Sequence, residues 1–375
     1  MKYPFLSLSD ITAPMADDLI AAATATIRSG RYLHGPATEA LEKSVAKVCG
    51  VDHCVAVSNG LDAIRLSFRA LLETGRIAPG DEVIVPANTY IASILPLTEL
   101  GLRPVLAEPK DSDFNLDARR AESLVGPRTR AVLLVHLYGT PCWDAEVMTR
   151  LVGKGIWIVE DNAQAIGALA AAPGLNGTRA TGGLGHIAAT SFYPTKNIGA
   201  LGDAGAVTTP DETLAATVRA LANYGSDRRY HNIFTGYNNR MDEIQAAMLE
   251  VKMRHLDEVC EARSRAARAY GDTISHPLVT LPSTLPGTRQ VWHQYVVRVP
   301  APRRDRFREW LADEGVGTDI HYAIPPHLQP CYYPSLGESY PVTERLASEV
   351  VSLPIAAITE DDARAIAGII NRYPG

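Results

Sequence analysis

The sequence predicts an α/β protein: a large domain in which helices cover a mainly parallel sheet, followed by a small C-terminal α/β domain. Three observations predict it. From about residue 40 to residue 220, short apolar runs alternate with stretches of helical periodicity. One segment, CVAVSNGLDAIRLSFRALLE (54–73), passes from a strand pattern through a Ser-Asn-Gly turn directly into a helix pattern, with Leu61, Ile64, Phe68, Leu71 and Leu72 at helical spacing. Residues 239–275 are then charged and helical in pattern, with few breakers before His276-Pro277, after which strand and helix patterns resume.

The candidate strands, in order, are His53–Val57, Glu82–Val85, Arg103–Ala107, Ala131–Val135, Ile156–Val159 and Ala206–Thr208. The stretch 239–275 reads as one long helix leaving the large domain. Beyond it, VWHQYVVRVP (291–300) reads as a strand and RDRFREWLADEGV (304–316) as a helix. SEVVSLPI (348–355) and EDDARAIAGIINRY (360–373) read as a closing strand and helix. The expected division is a large domain over 1–250 and a small one over 251–375.

Composition narrows the function classes. In 375 residues the hydrophobic share is 46%, enough for a sizeable core. The net charge is −6, from 36 basic and 42 acidic side chains, which gives no footprint for nucleic acid. Ten histidines are scattered without metal-binding spacing. Cys49, Cys54, Cys142, Cys260 and Cys331 are odd in number and form no CxxC, which predicts reduced thiols in a cytoplasmic protein. The opening MKYPFLSLSD lacks a signal-peptide core, and no apolar run approaches the roughly 20 residues that span a membrane.

Three segments carry chemistry. In SFYPTKNIGALGDAG (191–205), Lys196 follows two aromatic residues and a proline and precedes a glycine-rich run almost free of charge. A partly desolvated amine loses its proton more readily and can bond to an aldehyde, so Lys196 is a candidate Schiff-base lysine. In GIWIVEDNAQAIGA (155–168), two acids follow a buried-strand pattern. Such carboxylates lie where open α/β sheets bind ligands, although an acid after a strand also suits a helix N-cap. Pyridoxal phosphate (PLP) enzymes need a lysine for the Schiff base and a carboxylate beside the pyridine nitrogen, and Lys196 and Asp161 suit those roles. The Ser58-Asn59-Gly60 turn supplies a helix start with exposed N–H groups, a site for a phosphate.

Together these segments resemble the sugar-nucleotide aminotransferase family of the DegT/StrS type, a branch of the fold-type I PLP enzymes. The family pattern recurs in order: VSNGLDAIRL (57–66), GDEVIVPANTYIAS (80–93), VLLVHLYGTP (132–141), EDNAQAIGA (160–168), the lysine segment, NYGSDRRYHNIFTGYNNRMDEIQAAML (223–249) and HYAIPPHLQ (321–329). The resemblance implies a mixed, mainly parallel seven-stranded sheet between helices in the large domain. It implies Lys196 as Schiff-base partner and proton shuttle, Asp161 at the pyridine nitrogen, Gln164 at the ring hydroxyl and Tyr90 stacked on the ring. It further implies Gly60 and Leu61 as backbone donors to the phosphate, with Ser191 adding its hydroxyl. Asn238 would reach the phosphate of the neighbouring subunit, so the expected form is a homodimer with shared active sites. The implied reactants are L-glutamate and a nucleotide-linked sugar.

Details point within the family. SNGLDA, NTYIAS, NYGS and HYAIPPHLQ are most similar to the subgroup that aminates 3-keto-6-deoxyhexoses on a dTDP carrier, with 4-keto sugars as the alternative. Tyr193, Tyr224, His321 and Tyr322 match positions lining its sugar site. A related PLP dehydratase replaces the lysine by histidine, which Lys196 argues against, and a non-catalytic regulator would not need the cofactor set. The departures are Leu61 where threonine is frequent, His186 where an acid is usual, and an unusual loop over 171–183. Trp157, Trp292, Met241, Met248 and Met253 read as packing residues, Arg228-Arg229 as a solvated turn or a diphosphate contact, and His136 as a hydrogen-bonded histidine at a strand end.

Overall fold

The computed structural model describes residues 1–171, 177–337 and 339–375. Seven strands form the central sheet: β1 (His53–Val57), β2 (Glu82–Pro86), β3 (Arg103–Ala107), β4 (Thr129–Val135), β5 (Trp157–Asp161), β6 (Ile187–Ser191) and β7 (Gly205–Thr209). Their spatial order is β1-β7-β6-β5-β4-β2-β3. Pairing is parallel from β6 through β5, β4 and β2 to β3, while β7 runs antiparallel to both neighbours. The sheet is mixed and mainly parallel, as expected.

Six of these strands lie where their apolar runs predict, within two residues at each end. The pattern does not reveal β6. Its sequence, Ile-Ala-Ala-Thr-Ser, is short and dominated by small residues with little preference for strands. All five are buried, because β6 sits between β5 and β7 and is covered by the helix Gly60–Glu73. Central strands covered on both faces lose the alternation that marks half-buried ones.

That helix begins where the sequence indicates. The Asn59 side chain accepts the N–H of Asp62 as N-cap, and Ile64, Phe68 and Leu71 face the sheet in a core shared with Val85, Leu133 and Val207. The opposite face packs a second core, in which Ile84, Val132, Leu134 and Ile158 meet Val147, Met148 and Leu151 of the helix Ala145–Gly153.

The predicted single helix over 239–275 is two: Glu243–Met253 and Leu256–Thr273. Arg254 and His255 interrupt it without proline or glycine. The His255 N–H donates to Lys252 O in a tighter turn, and its ring bonds Glu258 at the start of the second helix. The second helix then serves two cores in turn. Leu256 and Cys260 finish the large-domain core, whereas Ala266, Ala267 and Tyr270 enter a separate core with Tyr3, Tyr295, Phe307, Leu353 and Ile366. This second core surrounds an antiparallel pair, β8 (Tyr295–Arg298) and β9 (Val350–Leu353), with the helices Ala301–Asp313 and Glu360–Asn371. A capping box of Thr359 and Asp362 starts the last helix. Met241 and Met253 pack in the large-domain core and Met248 in a smaller cluster with Leu19 and Val251. No described helix is long and apolar enough to cross a membrane. Of the unusual loop over 171–183, residues 172–176 lie outside the described residues.

Candidate active site

The loops after β1, β2, β4, β5 and β6 surround a cleft of about 470 Å³, at the strand ends where open α/β sheets bind ligands. Gly60, Leu61, Tyr90, Asp161, Gln164, Ser191, Tyr193, Lys196, His321 and Tyr322 all line it. Ten of the twelve residues predicted for the site thus converge on one cavity, the last two from the small domain.

Lys196 follows β6 in a turn closed by its own N–H to Tyr193 O, 2.8 Å. It keeps some surface toward the cleft, yet protein replaces most of its water. Burial pushes its amine down to about 8, and the nearby Asp161 carboxylate works against that by favouring the ammonium form. Asp161 shows the converse. Burial pushes its carboxyl up, opposed by hydrogen bonds from Ser93 and Ala163 and by the Lys196 charge. Its Oδ2 accepts from Ser93 Oγ at 2.7 Å and its Oδ1 from the Ala163 N–H at 3.1 Å. Neither acid of the Glu160-Asp161 pair caps a helix, contrary to the alternative the sequence left open. Glu160 is fully buried and accepts the N–H groups of Gly182, Leu184 and Gly185, each at 2.8 Å, and a bond from His136 Nε2, also 2.8 Å. His136 Nδ1 accepts the Cys142 N–H, so Nε2 is the nitrogen that donates. This is the hydrogen-bonded histidine expected at the end of β4.

At the opposite end, the start of the helix Gly60–Glu73 is pressed against Ser191. A Cβ added to Gly60 would come within 2.5 Å of Ser191 Cβ, so glycine is what permits the approach. The helix N-terminus, with its free N–H groups, therefore opens beside the Ser191 hydroxyl. An amine held near neutrality, a buried carboxylate and this anion cradle in one cleft are a set of groups that fits pyridoxal phosphate.

Residues 14–371 match the DegT/DnrJ/EryC1/StrS aminotransferase family. The chain belongs to this family. It is 42% identical over 372 residues, 99% of each chain, to the dTDP-3-amino-3,6-dideoxy-alpha-D-galactopyranose transaminase of Aneurinibacillus thermoaerophilus. Its fold superposes with TM-score 0.92 on the DesV of S. venezuelae, solved with a ketimine intermediate, at 41% identity and covering 99% of this chain and 98% of that one. NtdA of Bacillus subtilis, solved with bound PMP, is 26% identical with TM-score 0.86, covering 100% of this chain and 86% of that one. The chain is an aminotransferase of the sugar-nucleotide class, with the fold-type I architecture of its family.

Within this aminotransferase the remaining residues fall into two groups. Gln164 is committed at both ends: Oε1 accepts the Tyr138 N–H at 2.6 Å, and Nε2 donates to Tyr322 Oη at 2.9 Å. The Tyr322 ring lies 5.1 Å from that of Tyr90, so Gln164 and Tyr90 together hold Tyr322 over the cleft. His321 Nδ1 bonds Ser352 Oγ of β9 at 2.8 Å. Tyr224 and Asn238 are not in the cleft of their own chain. Both are exposed and meet Arg240, whose guanidinium lies 4.9 Å from the Tyr224 ring centre and donates to Asn238 Oδ1 at 2.5 Å. Arg228 and Arg229 are exposed in the neighbouring hairpin.

Ser93 and His293 are among the cleft residues that sequence reasoning missed. Ser93 closes the quoted NTYIAS motif, but nothing in its spacing indicates a bond to a residue 68 positions later. His293 lies in the segment read as a strand. It is buried, with Nδ1 3.2 Å from Asn197 Oδ1, and Asn197 Nδ2 donates to Val291 O. Asn197 therefore accepts, and His293 Nε2 keeps the lone pair. Burial, then the Lys196 and Arg263 charges, hold this imidazole well below its usual range. Trp157 is only half-buried: the His186 ring lies 4.6 Å away and Arg76 stacks at 4.7 Å. His186 Nδ1 accepts the Ile158 N–H, a role that explains an imidazole here.

Proposed function

We propose that this aminotransferase uses pyridoxal phosphate to carry an amino group from L-glutamate to a dTDP-linked 3-keto-6-deoxyhexose. The observation that carries the cofactor reading is the Lys196 amine, pushed down to about 8, sharing one buried cleft with Asp161 and the Gly60–Ser191 anion cradle. The sugar class rests on the 42% identity to a dTDP-3-amino-sugar transaminase.

When bound, pyridoxal phosphate supplies an electron sink for the carbon losing its proton. Every other task falls to the chain. The Gly60 and Leu61 N–H groups and the Ser191 hydroxyl would bind the phosphate, and Tyr90 would cover the ring. Asp161 would hold a proton at the pyridine nitrogen. Gln164, fixed by Tyr138 and Tyr322, would present its remaining N–H to the ring hydroxyl. Lys196, able to lose its proton near neutral pH, would take the proton from the α-carbon of glutamate. In the second half it would deliver a proton to C3 of the sugar. Tyr193, His321 and Tyr322 would orient the sugar, joined by Tyr224 of the second subunit. Asn238 would reach the partner's phosphate site in a homodimer. The proposed domain boundary near residue 250 falls just before the helix Leu256–Thr273, whose side chains enter both cores, and the protein would work in the cytoplasm.

The test is to convert the protein to its pyridoxamine phosphate form and offer dTDP-3-keto and dTDP-4-keto hexoses in turn. The 3-keto sugars should restore the absorbance of the aldehyde form within turnovers. Restoration by 4-keto sugars alone would overturn the substrate assignment.

A further inference from the structure

We infer that Ser93, backed by Thr89, is a positioning residue that keeps Asp161 ionised and aimed into the cleft. Both hydroxyl residues are buried, at 1% and 2% exposure, on the turn that also carries Tyr90. Thr89 Oγ1 lies 2.7 Å from Ser93 Oγ, which lies 2.7 Å from Asp161 Oδ2. The direction of the chain follows from proton counting. An ionised carboxylate only accepts, so the single Ser93 proton goes to Asp161. Ser93 then has none left for Thr89, and the Thr89 O–H donates to Ser93.

The result is a two-step relay, Thr89 to Ser93 to Asp161, in which each bond polarises the next. Its effect is electrostatic as well as geometric. Burial alone pushes the Asp161 carboxyl up, and the Ser93 bond does most to pull it back. The two fixed donors, Ser93 on Oδ2 and the Ala163 N–H on Oδ1, also set the plane of the carboxylate. One short turn thus brings Tyr90 to the cleft and tunes the acid within it.

This inference rests on the pyridoxal phosphate reading above, and the experiment separates the two. Wild-type protein is first titrated with pyridoxal phosphate and its visible spectrum followed from pH 5 to 10. No uptake would overturn that reading, and the relay with it. With uptake established, Ser93→Ala should move the acidic limb of both the spectral titration and the kcat profile upward by about one pH unit. That is the size expected for losing one hydrogen bond to a charged group. The sign follows from the donor: without it Asp161 takes a proton at higher pH. At the wild-type optimum kcat should fall roughly tenfold, with little change in the KM for glutamate. Ser93→Thr should restore the limb, and Thr89→Val should shift it less in the same direction. A merely structural role would lower the melting temperature but leave the limb in place. Limbs of Ser93→Ala that superimpose on wild type would overturn the relay. If Ser93→Ala does not fold, an unshifted Thr89→Val would do so.

Discussion

The floor of the cleft and the 224–240 loop are both held in place, but by opposite means. On the floor, Asp161, Ser93 and His293 are fixed beside Lys196 by burial and by hydrogen bonds within one chain. In the loop, Tyr224, Tyr230 and Ile233 are exposed, Tyr230 by 87%. Yet this loop is tightly built. A Cβ on Gly225 would lie 1.9 Å from Phe234 O, and one on Gly236 would lie 2.0 Å from Gly225 N, so the two passes of the chain touch through their glycines. Arg240 then ties Tyr224, Asn223 and Asn238 together. Order without burial is what a surface made for presentation to another molecule requires. The contacts of the floor described above all come from one chain, whereas the role proposed for the loop lies with a second.

The largest effect should come from the floor. Lys196→Ala should lower turnover by about 10²–10⁴-fold, the range that a positioned proton-transfer group contributes. Binding of pyridoxamine phosphate through the Gly60–Ser191 cradle should survive, as equilibrium dialysis can check. Loss of binding along with turnover would mean that the floor and the cradle are not separate devices.

The loop offers the next test. Asn238→Ala and Lys196→Ala subunits, each poorly active, can be mixed under conditions of proven exchange. If the loop completes the partner's site, half of the dimers are mixed, and each contains one site with both residues intact. Activity should return to about a quarter of wild type. No recovery, given a clear defect in each parent, would confine the site to one chain and sever the loop from it.

The smallest expected shift is in a titration midpoint set by the charge balance on the floor. In cofactor-free protein, labelling of Lys196 by an amine reagent should rise with a midpoint near 8, rather than in the range of ordinary lysines. Asp161→Asn should move that midpoint further down, because the carboxylate favours the ammonium form. An upward movement would show that the two groups do not face each other as described. The same change should cost about 10²–10³-fold in turnover, since it removes a preorganised charge.

The parts of this design that a sequence displays are those written contiguously. Lys196 amid aromatic residues and glycines, Asp161 at the end of an apolar run and Gly60 at a helix start each advertise themselves locally. What escapes is written across distance. β6 is concealed because its small residues are chosen for crowding between neighbours, not for strand preference. The helix break at Arg254-His255 uses no breaker, and the helix after it packs into two cores in turn. Ser93 and His293 acquire meaning only when residues 68 and 96 positions away arrive beside them.

Glu160 and Asp161 end β5 side by side, and the pleat sends them to opposite faces of the sheet. Asp161 shares its face with Val159 and the cleft. Glu160 shares the other with Ile158 and fastens Gly182, Leu184 and Gly185 on the approach to β6, the strand that delivers Ser191 and Lys196. The acid that faces the cleft and the acid that anchors the lysine's strand are therefore linked as a phase. A one-residue insertion in β5 would leave both carboxylates in the sequence and exchange their faces. Lineages that preserve this chemistry should vary β5 by substitution and almost never by length.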